Sequence, residues 1–342
     1  MSVRIALGGA AEEAVGRVLP RLVDEKVASG ITGQDASLWG AAAETDAARG
    51  LGWTESVAAS RELVAPITAL RRDLRRAGAD RVLLLAPAGA ARAASMIAGT
   101  QGVDLAVVEP DDPAAVRSAL QEAADTVVVV AGADAAVLAL VVRTVHDLGV
   151  DPARRVVVVA RAGSSLDADA RATRLTTVPW ERGVGDRFSA LSAPALVAAG
   201  LAGADLAELL DEAESEELNL AIDDRANNGL RLGAALGGSR PAGVAVVTDG
   251  THLVGADRWA AHLLAGAGLQ PRALRRDAPE LVEASVQLQV LRLVDDAHAP
   301  ARIAPHEIRL SGSLGELILA LQYTAAVAAW LRGADPFSEE SA

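Results

Sequence analysis

The sequence predicts an α/β fold of two doubly wound parallel-sheet domains with flanking helices. Three observations lead there. Short runs of valine and leucine recur without polar alternation, as in strands buried on both faces. Between residues 81 and 172 each such run is followed by a segment of helical spacing. The 342 residues are enough for two sizeable cores, and only eight of them are aromatic. The small aliphatic residues that dominate instead suit close packing of helix on sheet.

Taken in order, residues up to about 78 read as helices. Residues 12–27 have apolar positions at helical spacing, with Pro20 as a kink or boundary. Residues 62–76 form a second amphipathic helix whose arginines gather at its end, where the helix dipole favours cations. Strands then fall at 81–85, 105–108, 127–130 and 156–159, with helices from 88, over 113–123, over 135–148 and over 166–172. From 186 to about 236 the chain reads as helical, with Asn219, Asn227 and Asn228 as caps or turns. Strand signals return at 244–247, at 288–293 and weakly at 308–310, with a helix over 259–267 between them. A last apolar helix spans 314–331 and ends at Gly333, a C-cap residue. The expected domains are 1–183, helices plus a first sheet, and 184–342, a second sheet with the C-terminal helix.

Composition excludes several classes of function. A formal charge of −13 disfavours nucleic acid and anionic membrane surfaces as partners. No cysteine is present, so neither disulfides nor thiolate chemistry can occur. The first ten residues lack a signal layout, and the longest apolar run, 127–142, is interrupted by Asp134 and is short for a membrane span. A cytoplasmic protein is expected. Lys26 is the only lysine, so no lysine serves the C-terminal half.

Several motifs, in order, carry a family resemblance. Gly185-Asp186-Arg187-Phe188-Ser189 resembles the Gly-Gly-Arg-Tyr-Ser block of the phosphoglucose (glucose-6-phosphate) isomerases, and 187–201 continues the likeness. Asp35-Ala36-Ser37-Leu38-Trp39-Gly40 and Leu51-Gly52-Trp53 look like the leading helices of compact bacterial members. Gly163-Ser164-Ser165-Leu166 is similar to a family Pro-Gly-Ser-x-Leu turn, and 323–337 to the last helix and Asn-Pro-Phe tail. The resemblance implies a pair of sugar isomerase (SIS) domains, a sugar-phosphate ligand, no cofactor and a homodimer.

Departures from the family pattern bear on chemistry. The Gly-Gly-Ser loop that holds phosphate in active members corresponds here to Ala86-Pro87-Ala88-Gly89-Ala90-Ala91-Arg92. The serine is gone and Pro87 removes one amide. The Ser-Lys-Ser-Gly-Thr-Thr loop corresponds to Ala131-Gly132-Ala133-Asp134-Ala135-Ala136, with every hydroxyl lost and Asp134 reading as a helix N-cap. Gly266 falls where the family has its catalytic glutamate. Losing a positioned base typically costs about 100- to 10,000-fold in rate.

The resemblance leaves Arg187 as the inherited site residue, holding sugar-phosphate oxygens or stabilising enediolate charge; the alternative is a salt bridge with Asp186 or Glu181. Asp186 replaces the family's second glycine, crowds the backbone and partly neutralises Arg187. Gly89 and Arg92 are candidate ligand contacts at the N-terminus of the first-domain helix. Ser164 and Ser165 are ligand contacts or a helix cap. His262, one turn before Gly266, is a candidate base or an ordinary surface or core histidine. His252, after Asp249-Gly250-Thr251, follows a strand end, where such folds place ligands, but reads as an idle loop residue. His298 and His306 lack metal-pair spacing, and Asp111-Asp112 reads as a helix start, so no metal site is expected.

The leading expectation is a non-catalytic or very weak sugar-phosphate-binding homologue with a regulatory or assembly role beside an enzyme of hexose-phosphate metabolism. Two alternatives stand: an active aldose–ketose isomerase with a relocated base, His262 or Glu283, and a purely structural interaction subunit.

Overall fold

The computed structural model describes residues 2–121, 123–239, 243–249, 252–282, 288–297 and 302–338. Glu283, His298, Gly250 and Thr251 lie outside the described residues. The chain forms two compact units, one continuous, Glu55–Glu208, and one discontinuous, Met1–Thr54 with Leu209–Ala342. The expected division at 183/184 follows the order of the motifs, whereas packing groups the chain by which segments complete each sheet.

The continuous unit opens on α4 (Ser56–Arg76), the preceding elements belonging to the other unit. Strands and helices then alternate: β2 (Arg81–Leu85), α5 (Ala88–Thr100), β3 (Ala106–Val108), α6 (Pro113–Leu120), β4 (Thr126–Ala131), α7 (Ala135–Asp147), β5 (Val156–Ala160), α8 (Ser165–Ala172), β6 (Thr176–Pro179) and α9 (Ala193–Ala202). The sheet order is β3-β2-β4-β5-β6, and every pairing is parallel. Alternate strand residues supply the two faces. Leu83, Leu85, Val128, Val130, Val156 and Val158 pack with Val116, Leu120, Leu138, Val141, Val145 and Ala170 of α6, α7 and α8. Asp112, Asp134 and Ser164 cap α6, α7 and α8 with their own side chains, as the sequence implies. β6 carries no valine run, so the sequence pattern does not announce it.

The discontinuous unit begins with β1 (Arg4–Leu7), α1 (Gly9–Asp24), α2 (Val27–Thr32) and α3 (Glu44–Gly50). It resumes within α10 (Leu206–Ala221) and continues through α11 (Asn228–Gly237), β7 (Gly243–Thr248), α12 (Ala256–Ala265), β8 (Pro271–Ala273), α13 (Pro279–Val282), β9 (Leu288–Leu293), β10 (Glu307–Ser311) and α14 (Leu314–Arg332). Its sheet order is β1-β10-β9-β7-β8, parallel except that β1 pairs antiparallel with β10, Ile5 opposite Leu310. The all-helical reading of the first 78 residues is therefore corrected. Four residues are too few for a periodic signal, and β1 exists because β10 offers it an edge. Asn219, read as a cap or turn, lies inside α10, while Asn227 caps α11.

Packing around α14 explains much of the glycine in this unit. A Cβ on Gly229, Gly233 or Gly237 would meet Tyr323, Val327 or Ala328 at 2.9, 2.4 and 2.8 Å. This stripe along α11 lets α14 approach at backbone distance. α14 is long and apolar enough to cross a membrane, but 89 % of its apolar window is buried inside the protein. It is the core helix of its unit, opened by Glu316, which accepts from Ser313 N at 2.8 Å, and stopped by a left-handed Gly333.

Candidate functional site

In a sheet ordered 2-1-3-4-5, the crevice lies beyond the carboxyl ends of the first and third strands, where the chain reverses direction across the sheet. In the continuous unit these are β2 and β4. The loop after β2 is Ala86-Pro87 and the start of α5, and the loop after β4 is Gly132-Ala133-Asp134. Neither carries a hydroxyl. Pro87, the N-cap of α5, makes no side-chain cap.

The missing cap comes from 97 residues away. The Asp186 carboxylate accepts from Gly89 N at 2.7 Å and from Ala90 N at 2.8 Å, one oxygen on each amide. A Cβ on Gly89 would lie 2.4 Å from the Asp186 carbonyl oxygen, so only glycine permits this approach. Burial raises the Asp186 pKa, while the two amides and the positive charges of Arg187 and Arg92 act against that rise. The adjoining space holds the Trp180 ring: a Cβ on Gly132 would lie 2.7 Å from it and 3.3 Å from Pro87. Arg161 lies over the same indole, 4.9 Å from its centroid, and donates to the Val184 carbonyl.

Glu181 has a parallel role at α9, whose N-cap Ser192 makes no side-chain cap bond. Both Glu181 oxygens accept from Ala193 N at 3.1 Å, and Ser60 donates to one of them at 3.4 Å. Burial raises the Glu181 pKa, with those hydrogen bonds acting against the rise. The segment 180–187 thus carries two acids that each close a helix N-terminus, a feature invisible in sequence because neither acid is near its helix.

The sequence-selected residues divide by unit. Gly89, Arg92 and Arg187 gather around Asp186. Arg187 is only 7 % exposed, and burial lowers its pKa against the favourable charge of Asp186. Arg92 is half exposed and pairs with Glu109 at 3.6 Å. Ser189, in the same motif, is fully buried and donates to the Asp186 carbonyl. Ser164 is the α8 N-cap, accepting from Asp167 N, and Ser165 is exposed. Asp167 in turn accepts from Gly163 N at 3.0 Å and pairs with Arg171 at 2.8 Å, so this turn satisfies its own donors. His262 belongs to the other unit, half-buried in the last turn of α12, and Gly266 is that helix's C-cap.

The discontinuous sheet has the equivalent crevice beyond β7 and β9. There Asp249, His252 and Asp295 converge, with His252 Nδ1 3.1 Å from Asp249 and 3.0 Å from Asp295. The hydrogen bond to Asp249 and the charge of Asp295 raise the His252 pKa. His252 is exposed, as expected of a loop histidine after a strand end, and its ring links Asp249 after β7 to Asp295 after β9. Asp295 follows β9 by two residues, and the doubly wound pattern is the signal that joins it to Asp249.

No protein-family model and no curated protein sequence matches the chain. Solved structures do resemble it. A hypothetical protein from Thermus thermophilus superposes with a TM-score of 0.75 at 18 % identity, over 98 % of this chain and 96 % of that one. A glucose-6-phosphate isomerase from Chlamydia trachomatis gives 0.71 at 14 % identity, over 99 % and 86 %. The tagatose-6-phosphate ketose/aldose isomerase of Escherichia coli gives 0.55 at 13 %, over 85 % and 92 %. The chain has the fold of a glucose-6-phosphate isomerase. The motif resemblance is thus matched by a pair of parallel-sheet SIS domains, at a sequence distance where fold is what is shared.

Proposed function

We propose that this protein is a divergent member of the glucose-6-phosphate isomerase family that has lost ordinary isomerase turnover. It retains weak sugar-phosphate binding near Arg187 and serves a regulatory or assembly role in cytoplasmic hexose-phosphate metabolism, as a homodimer. The observation that carries this reading is the occupancy of the β2/β4 crevice. Its helix amides are engaged by Asp186, its loops carry no hydroxyl, and Trp180 and Pro87 pack beside Gly132. Gly266 at the end of α12 supports the same reading, since a glycine cannot move the proton between C1 and C2 that the isomerase reaction requires.

A coupled assay of fructose 6-phosphate to glucose 6-phosphate tests it. The expected outcome is no turnover above background. Turnover on the order of 10 per second would overturn the reading, and Asp or His substitutions would then locate the base, beginning with His262→Gln. Isothermal titration with hexose phosphates separates weak binding from a purely structural role. Saturable binding that is weakened in a folded Arg187→Ala variant supports the former; no heat with any sugar phosphate supports the latter.

A further inference from the structure

We propose that Asp249, His252 and Asp295 hold a divalent metal ion of the zinc class at the crevice of the discontinuous sheet. The site belongs to the other unit from Arg187 and does not depend on the sugar-phosphate reading.

The donor set is the first argument. One imidazole and two carboxylates offer ligand atoms that all lie within 4.8 Å of one another. His252 Nδ1 stands 3.1 Å from an oxygen of Asp249 and 3.0 Å from one of Asp295. Two atoms that each bind a zinc ion at about 2.0 to 2.2 Å stand about 2.8 to 3.6 Å apart at the angles of four- to six-coordination. Both distances fall in that span, so the nitrogen is already spaced from each oxygen as one ligand is from the next. Hydrogen bonding accounts for the arrangement less well. Nδ1 carries at most one hydrogen, and one N–H cannot point straight at two carboxylates. Charge is also left over. Two carboxylates against at most one imidazolium leave a negative excess, whereas a divalent ion with neutral imidazole balances them. The other oxygen of Asp249 accepts from His252 N at 3.3 Å, which leaves Oδ2 for the ring nitrogen.

Placement is the second argument. β7 and β9 are adjacent parallel strands at the reversal point of their sheet, where such folds receive ligands. Asp249 follows β7 by one residue and Asp295 follows β9 by two. The ligands therefore come from two strand ends that the sheet fixes side by side. Spacing along the chain does not announce the set, because the third ligand lies on a different strand from the first two.

The third argument is the cavity that Asp249 and Asp295 line. Its wall continues over Arg292 of β9 and over Glu307 and Arg309 of β10. Glu307 and Arg309 are only 7 % and 8 % exposed. One oxygen of Glu307 takes both guanidiniums, Arg292 at 3.1 Å and Arg309 at 2.9 Å. Two cations on one carboxylate leave a positive excess on that wall, in the same cavity as the negative excess of the two aspartates. Three protein ligands leave a position open on zinc. The cavity suits an ion that carries water or a small oxyanion there. The imidazole selects zinc over magnesium and calcium, which take oxygen ligands.

The test uses the full-length protein, stripped of metal by a chelator and dialysed. Zinc ion alone is titrated into wild type, His252→Ala, Asp295→Asn and a control, His146→Ala. His146 is an exposed histidine whose Nδ1 lies 3.8 Å from Asp147, an incidental pair of the same residue types. Binding is followed by calorimetry and by the imidazole resonances of His252. The expected result is one zinc ion per chain, with the His252 ring shifting. Affinity should fall at least about tenfold in His252→Ala and in Asp295→Asn and stay unchanged in His146→Ala. Excess magnesium should displace no zinc. Both substituted side chains are more than half exposed, at 62 % and 60 %, so the variants should keep the wild-type thermal transition; if one does not, the other decides. No saturable zinc binding by wild type overturns the proposal, and so does binding that survives both site variants or falls equally in the control. Magnesium competing as strongly as zinc overturns it too, since the site would then be an exposed acidic pair.

Discussion

At the scale of single residues, burial governs the acids of the 180–187 segment and the one tyrosine. Glu181 has a folded pKa raised above the ordinary glutamate value. The folded protein therefore holds a proton that the unfolded chain releases. Its contribution to stability is fully present below the unfolded value and is lost as pH rises through the folded one. Asp186 is shifted in the same direction. Thermal melts between about pH 4 and about pH 7 should show wild-type stability falling with pH over the lower part of that range. Glu181→Gln should flatten the fall without abolishing it, because Asp186 remains; an unchanged slope would contradict this account. Tyr323, the only tyrosine, is raised to about 12 by burial, with a hydrogen bond to Thr32 at 2.9 Å. Titration of the near-ultraviolet phenolate band should show no ionisation in the folded protein until about pH 12. Since the unfolded phenol ionises earlier, this group's contribution to stability is lost as pH rises from its ordinary value towards that point. In the sequence, Asp186 is legible as an added Cβ and a neighbouring negative charge. Its two amide partners are not legible, because a contact across 97 residues leaves no local pattern.

Among elements, packing distance decides what each helix tolerates. Gly233→Ala should cost about 1–3 kcal/mol, the usual penalty of overpacking, because the new Cβ would sit 2.4 Å from Val327 and the α11–α14 backbones cannot part without opening the core. Chemical denaturation would read it as a lower midpoint with an unchanged slope. Glu316→Ala removes the carboxylate that accepts from Ser313 N at the start of α14 and should cost about 1 kcal/mol. Elements with strong local signals are readable from sequence: the valine runs of β4 and β5, the Asp112 and Asp134 caps, and the Gly333 stop. β1, β6 and β8 are not. They are three or four residues long and are strands because a neighbour offers hydrogen bonds, not because their own residues demand it.

For the whole molecule, the two sheets repeat one order of winding, and they differ in where the fifth strand comes from. In the continuous unit β6 follows β5 directly. In the discontinuous unit the edge beside β10 is filled by β1 from the other end of the chain, antiparallel. That substitution makes the first 54 residues part of a core otherwise built from residues after 208. Asn228 donates to the Val3 carbonyl at 2.8 Å, and Val3 N donates to Glu216, whose side chain is fully buried. Removing residues 1–54 would strip β10 of its partner on one edge, uncover Ile308 and Leu310, and deprive Glu216 of that donor. An unsatisfied buried polar group alone costs about 1–3 kcal/mol. A fragment of residues 209–342 should therefore show no cooperative thermal transition by circular dichroism. Adding residues 1–54 as a separate peptide should restore one, with a midpoint that rises with peptide concentration. A cooperative transition in the fragment alone would mean that the sheet is sufficient with four strands and that β1 is an ornament of its edge.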